Sequence, residues 1–158
     1  MAGTGINFHY SVMFPEKPPL VHFGMPLRCR YSETDKMGVV YHSRYLEYFE
    51  TVRTEFVREM GVPYADMEDT GVMLPVADVR LSFRRPVRYD ELMDARLYIY
   101  DMPVVRLYTY YAIHTEESNS PAVTGEVVLV FVDAHTRKPV RAPRLFLEKL
   151  SDYAQLAR

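Results

Sequence analysis

The sequence has no tryptophan and a single cysteine, Cys29. One thiol cannot close an intrachain disulfide, which excludes a disulfide-stapled scaffold and favours a reducing compartment. No uninterrupted apolar run reaches the ~18–20 residues that a membrane-spanning helix needs. No charged segment followed by an apolar stretch opens the chain, so no secretory signal is read there and the expected location is cytoplasmic. An excess of one sign of charge is missing as well: 19 Lys and Arg stand against 21 Asp and Glu, a formal net charge of −2. That gives no electrostatic footing for nucleic acid or an anionic membrane. The five histidines, at positions 9, 22, 42, 114 and 135, are scattered, and no Cys/His grouping has zinc spacing. Phosphate-cradling and dinucleotide glycine patterns are absent too. Neither a metal nor a cofactor is expected.

What remains is an ordinary globular composition with an aromatic surplus. The 158 residues are 48% apolar and 25% charged, and 13% are Tyr or Phe. That length suggests one domain, large enough to bury a core without staples. Residues 1–24 carry Gly3, Gly5, Pro15, Pro18 and Pro19 with no clear period, and are read as an irregular N-terminal extension to a domain spanning 25–158.

Within that domain the clearest element is a helix from Ser43 to Met60. Tyr45, Tyr48, Phe49, Val52, Phe56 and Met60 fall on one helical face, and Gly61 and Pro63 end it. Glu50 is expected to pair with Arg53 at i+3. Leu27–Tyr31 reads as a short strand. Alternation over Val79–Phe83, Ala95–Ile99 and Val105–His114 predicts three more, with a turn at Asp101-Met102-Pro103. Ser118–Pro121 reads as a loop. Val123–Asp133 is nearly continuously apolar, as a central strand covered on both faces would be, and Pro143–Tyr153 predicts a final short helix. Tight connections imply antiparallel neighbours. One helix covers one face of such a sheet, so a second subunit is the natural cover for the remaining apolar surface.

The stretch "DKMGVVYHSRYLEYFE" (35–50) places one carboxylate, Asp35, ahead of a turn and then of a helix opening at Tyr41-His42-Ser43. An acid there is a cap or half of a reaction centre, and spacing alone does not decide. Likewise, Tyr45, Tyr48 and Phe49 are core or the wall of a binding site.

"RYSETDKMGVVYHSRYLEYFETVRTEF" (30–56) resembles the opening motif of hotdog-fold acyl-CoA thioesterases of the 4-hydroxybenzoyl-CoA thioesterase type, and within it the Tol–Pal-associated branch. "VADVRLSFRRPVRYDELM" (76–93) and "TGEVVLVFVDAHTRKPVRAP" (124–143) are similar to later parts of the same family, so the likeness covers roughly residues 26–150. It implies an α+β hotdog fold, a long central helix wrapped by an antiparallel sheet of five or more strands, assembled as a homodimer or tetramer. It implies hydrolysis of an acyl-CoA thioester with Asp35 as nucleophile or general base. The backbone N–H groups of His42, Tyr41 and Ser43 would form the oxyanion site, with the His42 side chain nearby. Arg84, Arg85, Arg137 and Lys138 are candidates for the coenzyme A phosphates. Two other readings stand beside this one: a hotdog hydratase or dehydratase acting on acyl-CoA or acyl carrier protein, and a non-catalytic acyl- or partner-binding module.

Overall fold

The structure, a computed structural model, describes residues 11–156. Its centre is α1 (Arg44–Glu59), and the face predicted from periodicity is the buried one: Tyr45, Tyr48, Phe49, Val52, Phe56 and Val57 all point inward. The helix ends in a double hydrogen bond. Gly61 N–H donates to the Arg58 carbonyl at 3.0 Å and Val62 N–H to the Val57 carbonyl at 3.1 Å. Gly61 sits at φ 84°, the left-handed conformation that this closure requires and that glycine adopts without strain.

Five strands wrap α1: β1 (Val21–Arg28), β3 (Val76–Phe83), β4 (Leu92–Ile99), β5 (Arg106–Thr115) and β6 (Ser118–Val130). They run in the order β1-β4-β5-β6-β3, antiparallel throughout. This is the α+β arrangement expected from the sequence. Two short strands, β2 (Val72–Met73) and β7 (Val132–Asp133), pair apart from the main sheet, and α2 (Tyr64–Asp69) precedes them. The final helix, α3 (Arg144–Leu156), packs Phe146 on Phe131 with ring centroids 5.3 Å apart. No helix among the described residues is long and apolar enough to cross a membrane.

Close approach of α1 to the sheet is set by one glycine. Tyr111 and Gly125 face each other across β5 and β6. Phe49 stacks on Tyr111, with centroids 4.4 Å apart and planes within 14°. The bare Cα of Gly125 makes room for the edge of that ring.

Three expectations are corrected. The first strand begins at Val21, so the division at residue 24 falls inside β1; residues 1–10 of the extension lie outside the described residues. Ser118–Pro121 is the start of β6 rather than a loop, because Thr115 and Ser118 already pair and the turn is confined to Glu116-Glu117. Arg53 does not pair with Glu50. It lies on the buried side of α1, 7% exposed, where its Nε donates to Tyr64 Oη (2.9 Å) and its Nη1 to Tyr111 Oη (3.2 Å).

Residues 11–20 cross the sheet face opposite α1. Phe14 seats its ring among Tyr98, Tyr100 and Tyr110, at 5.5, 6.5 and 5.5 Å between centroids. Val12 N–H donates to Ser82 Oγ at 2.8 Å, and Lys17 pairs with Asp101 at 2.5 Å.

Candidate active site

Between β1 and α1 the chain folds back on itself in a small hairpin. Thr34 pairs with Val40, Asp35 N–H donates to the Val39 carbonyl (2.9 Å), and Gly38 N–H donates to the Asp35 carbonyl (3.0 Å). Gly38 takes φ 77° to close the turn. The Asp35 side chain folds over this turn: Oδ1 accepts the Met37 N–H at 2.8 Å. Oδ2 has no hydrogen-bond donor among the described residues. A half-buried carboxylate thus has one oxygen fixed and one available.

The hairpin delivers the chain to the start of α1. Val40 N–H donates to the Val87 carbonyl (2.8 Å) and Tyr41 N–H to the Glu33 carbonyl (2.9 Å). Tyr41 N–H is therefore engaged and is removed from the three oxyanion candidates named from the sequence. The N–H groups of His42 and Ser43 donate to no acceptor among the described residues, as expected of the unpartnered first turn of a helix. Ser43 occupies the N-cap position without a side-chain capping bond. These two donors lie at the positive end of the helix dipole.

Asp35 and His42 line one cleft of about 320 Å³, together with Val39, Val40, Tyr45, Phe83, Arg84, Arg85 and Pro86. Its floor is aromatic: Tyr45, 2% exposed, meets Phe83 edge-on at 5.6 Å. Burial pushes the Tyr45 phenol up to about 12, so it stays neutral. The two arginines differ. Arg85 is tied down, its Nη2 donating to the Ser120 carbonyl at 2.6 Å and its Nη1 lying 3.4 Å from Glu117 Oε2. Arg84 is exposed, and its guanidinium has no partner among the described residues. Arg137 and Lys138 do not line this cleft. They sit on the turn after β7, where Asp133 organises the backbone and Arg137 Nη1 approaches Met73 Sδ at 3.3 Å.

A larger cleft, about 770 Å³, lies on the sheet face opposite α1 and includes His22, Asp94, Arg96 and His114. Asp94 holds Arg96 at 2.7 and 2.6 Å, and none of the residues expected at the site is there. Among the described residues no cluster of His, Cys, Asp or Glu could hold a metal ion.

Two contributors escaped the sequence reading. Glu33, 4% exposed, is buried behind the Asp35 hairpin and takes the Tyr48 hydroxyl at 2.7 Å. Only the three-residue spacing from Arg30 hinted at it, and nothing in the sequence linked it to Tyr48. Phe83 looked like any inward strand residue, yet it is 53% exposed and forms a wall of the cleft.

Comparison with known proteins places the chain in a family. The thioesterase-like superfamily profile matches residues 29–150. A putative acyl-CoA thioesterase, YneP of Bacillus subtilis, is 33% identical over 121 residues, covering 76% of this chain and 86% of that protein. The acyl-CoA thioesterase YbgC of Helicobacter pylori is 30% identical, covering 79% and 98%. Among solved structures, the DHNA-CoA thioesterase from Staphylococcus aureus superposes with a TM-score of 0.76 at 31% identity, over 86% of this chain and 91% of that one. The matched region runs from Cys29 through the Asp35 hairpin, α1 and the whole sheet beyond it to Leu150, and on that extent the chain belongs to the thioesterase-like superfamily.

Proposed function

We propose that the protein hydrolyses an acyl-CoA thioester to the free acid and coenzyme A, with the reaction centred on Asp35. The observation that carries the proposal is one cleft holding a carboxylate with a free oxygen beside a helix start whose His42 and Ser43 N–H groups are unengaged. A thioester oxygen seated against those N–H groups becomes more negative as the carbon turns tetrahedral, and the bond strengthens as it does so. One such donor is typically worth about 10²–10³ in rate. Asp35 Oδ2 either removes a proton from an attacking water or attacks the carbonyl carbon itself. In the first route the water oxygen bonds to carbon, the C–S bond breaks, and the proton held by Asp35 passes to the departing thiolate. In the second, an acyl–Asp35 anhydride forms as the thiolate leaves, and water then cleaves it. Among the described residues Asp35 is the single carboxylate lining the cleft, which disfavours the acid/base pair that a hydratase requires.

Tyr45, Phe83 and Val40 offer an apolar seat for the acyl and thioester portion, and the unpaired Arg84 offers charge to the coenzyme A phosphates. The cleft takes in Phe83 at the end of β3, an edge strand with Val76 (50%), Val79 (37%) and Phe83 (53%) exposed. A second copy pairing on this edge, as a homodimer or within a tetramer, would cover those side chains and close the cleft.

The test is release of free thiol from a panel of acyl-CoAs, short-chain to aromatic, by wild type and Asp35→Asn. Wild-type turnover is expected on at least one member, with a loss of about 10²-fold or more in the variant. A folded Asp35→Asn that retains full activity removes Asp35 from the chemistry.

A further inference from the structure

We propose that Glu33 is a positioning residue, which locks the Asp35 hairpin and the start of α1 to each other so that the free N–H groups of His42 and Ser43 face the thioester. This role presupposes the thioesterase reading above. It assigns a function to a buried group outside the cleft lining.

Glu33 ends the single helical turn Tyr31–Glu33, two residues before Asp35, and makes contacts in three directions. Its Oε2 accepts the Tyr48 hydroxyl (2.7 Å) and the Arg30 N–H (2.8 Å), and its Oε1 accepts Arg30 Nε (2.8 Å) and Nη2 (2.7 Å). Its main-chain carbonyl accepts the Tyr41 N–H (2.9 Å). One residue therefore binds the exit of β1, the side of α1 and the segment immediately before His42. The carbonyl bond takes Tyr41 out of the donor set and makes His42 the first free N–H. The Tyr48 bond, five residues beyond Ser43 on the same helix, fixes the rotation of α1 about its axis and hence the direction of those N–H groups.

A buried charge is costly unless it is well paired. Here four hydrogen bonds, two of them from a guanidinium, satisfy both oxygens. Burial pushes the carboxyl up, and the bonds from the Arg30 N–H, Tyr48 and the Arg30 guanidinium outweigh it, leaving the group below the ordinary glutamate range. The Tyr48 phenol is pushed well above the usual tyrosine range, first by burial and then by Glu33, so it remains a donor at every working pH. The charge state of the link is thus constant under working conditions. What the link controls is distance, and misplacing a reacting group by about 1 Å costs about 10²-fold.

A positioning role predicts loss in the transition state alone: kcat falls while KM holds. The experiment compares Glu33→Gln, Tyr48→Phe and Tyr153→Phe with wild type on the best acyl-CoA substrate. Tyr153 donates to Glu59 at the far end of α1 (3.0 Å), so its variant removes a Tyr–Glu bond remote from the hairpin. Expected are a fall in kcat of about tenfold for Tyr48→Phe and more for Glu33→Gln, KM within twofold, and no change for Tyr153→Phe. Amide hydrogen exchange on the same proteins provides a readout independent of turnover: Tyr41 N–H exchanges at least about tenfold faster in Glu33→Gln, with the β4 and β5 amides unchanged. Folded Glu33→Gln and Tyr48→Phe that keep kcat within twofold overturn the proposal, as does faster exchange spread evenly over the sheet. If wild type releases no thiol from any acyl-CoA, the thioesterase reading is what fails. The exchange result then decides alone, with unaltered Tyr41 protection overturning the role of Glu33 and selective loss supporting it.

Discussion

Phe49 of α1 lies directly over the Cα of Gly125 in β6: a Cβ built at position 125 would fall 2.2 Å from Phe49 Cε2 and 2.8 Å from its Cζ. The helix can approach the sheet this closely only because position 125 has no side chain. Gly125→Ala therefore forces Phe49, stacked on Tyr111 and 1% exposed, to move within a filled core. Overpacking of this kind costs about 1–3 kcal/mol, a drop in Tm of several degrees for a chain of this size. Thermal unfolding followed by circular dichroism checks it, and an unchanged Tm would show that the helix rides over the sheet more loosely than the Phe49–Gly125 contact implies.

Arg53 is held by phenols where a carboxylate is the usual partner. Its guanidinium is buried between Tyr64 and Tyr111, and no carboxylate reaches it among the described residues. A hydrogen bond to a charged group contributes about 1.5–3 kcal/mol. Tyr111→Phe keeps the ring that stacks on Phe49 and removes one acceptor from a buried cation, so a destabilisation of about that size is expected in urea unfolding, with the m-value unchanged. A loss under about 0.5 kcal/mol would mean that water already serves the guanidinium.

The parts of the fold that were legible in the sequence are those set by periodicity. The inward face of α1 repeats at helical spacing from Tyr45 to Phe56, and Ala95–Ile99 and Val105–His114 alternate as half-buried strands do, so both were readable. The turn carrying Asp35 and Gly38 was readable from its polarity, but only the family likeness gave Asp35 a role, because one acid before a helix looks the same whether it caps or reacts. Illegible features depend on contacts between distant residues. Arg53 was read as the local partner of Glu50 because chain spacing is blind to the phenols of Tyr64 and Tyr111, which meet it only after folding. Engagement of the Tyr41 N–H by the Glu33 carbonyl is likewise a backbone event with no side-chain signature.

Arg84 gives a prediction about substrate recognition. It lines the cleft with a guanidinium that has no partner among the described residues, whereas Arg85 is tied to the Ser120 carbonyl. If Arg84 meets coenzyme A phosphates, Arg84→Ala raises KM for an acyl-CoA by about tenfold and leaves kcat nearly unchanged, as loss of uniform binding does. Activity on the matching acyl N-acetylcysteamine thioester, which has no phosphates, is unaltered. Salt narrows the difference between wild type and variant, because the contact is exposed. Equal KM increases on both substrates would instead assign Arg84 to the cleft's shape.

Glu33 also makes a prediction in acid. Its carboxyl is held below the ordinary range in the folded protein, whereas in the unfolded chain it titrates as an ordinary glutamate, at about 4.3. A group depressed on folding contributes its full stabilisation above the unfolded pKa and loses it as pH falls through the folded one. The contribution is therefore complete at pH 6 and declines from about pH 4.3 downward. Glu33→Gln has no proton to take up, so the gap in unfolding free energy between wild type and variant is widest at pH 6 and closes towards pH 3. Other carboxylates titrate alike in both proteins and cancel in the difference. Urea melts of the pair at pH 6, 5, 4 and 3 measure it. A gap constant across that range would mean that the Glu33 carboxyl is not held below its unfolded value, and that its bonds to Arg30 and Tyr48 contribute shape to the hairpin without stabilising the charge.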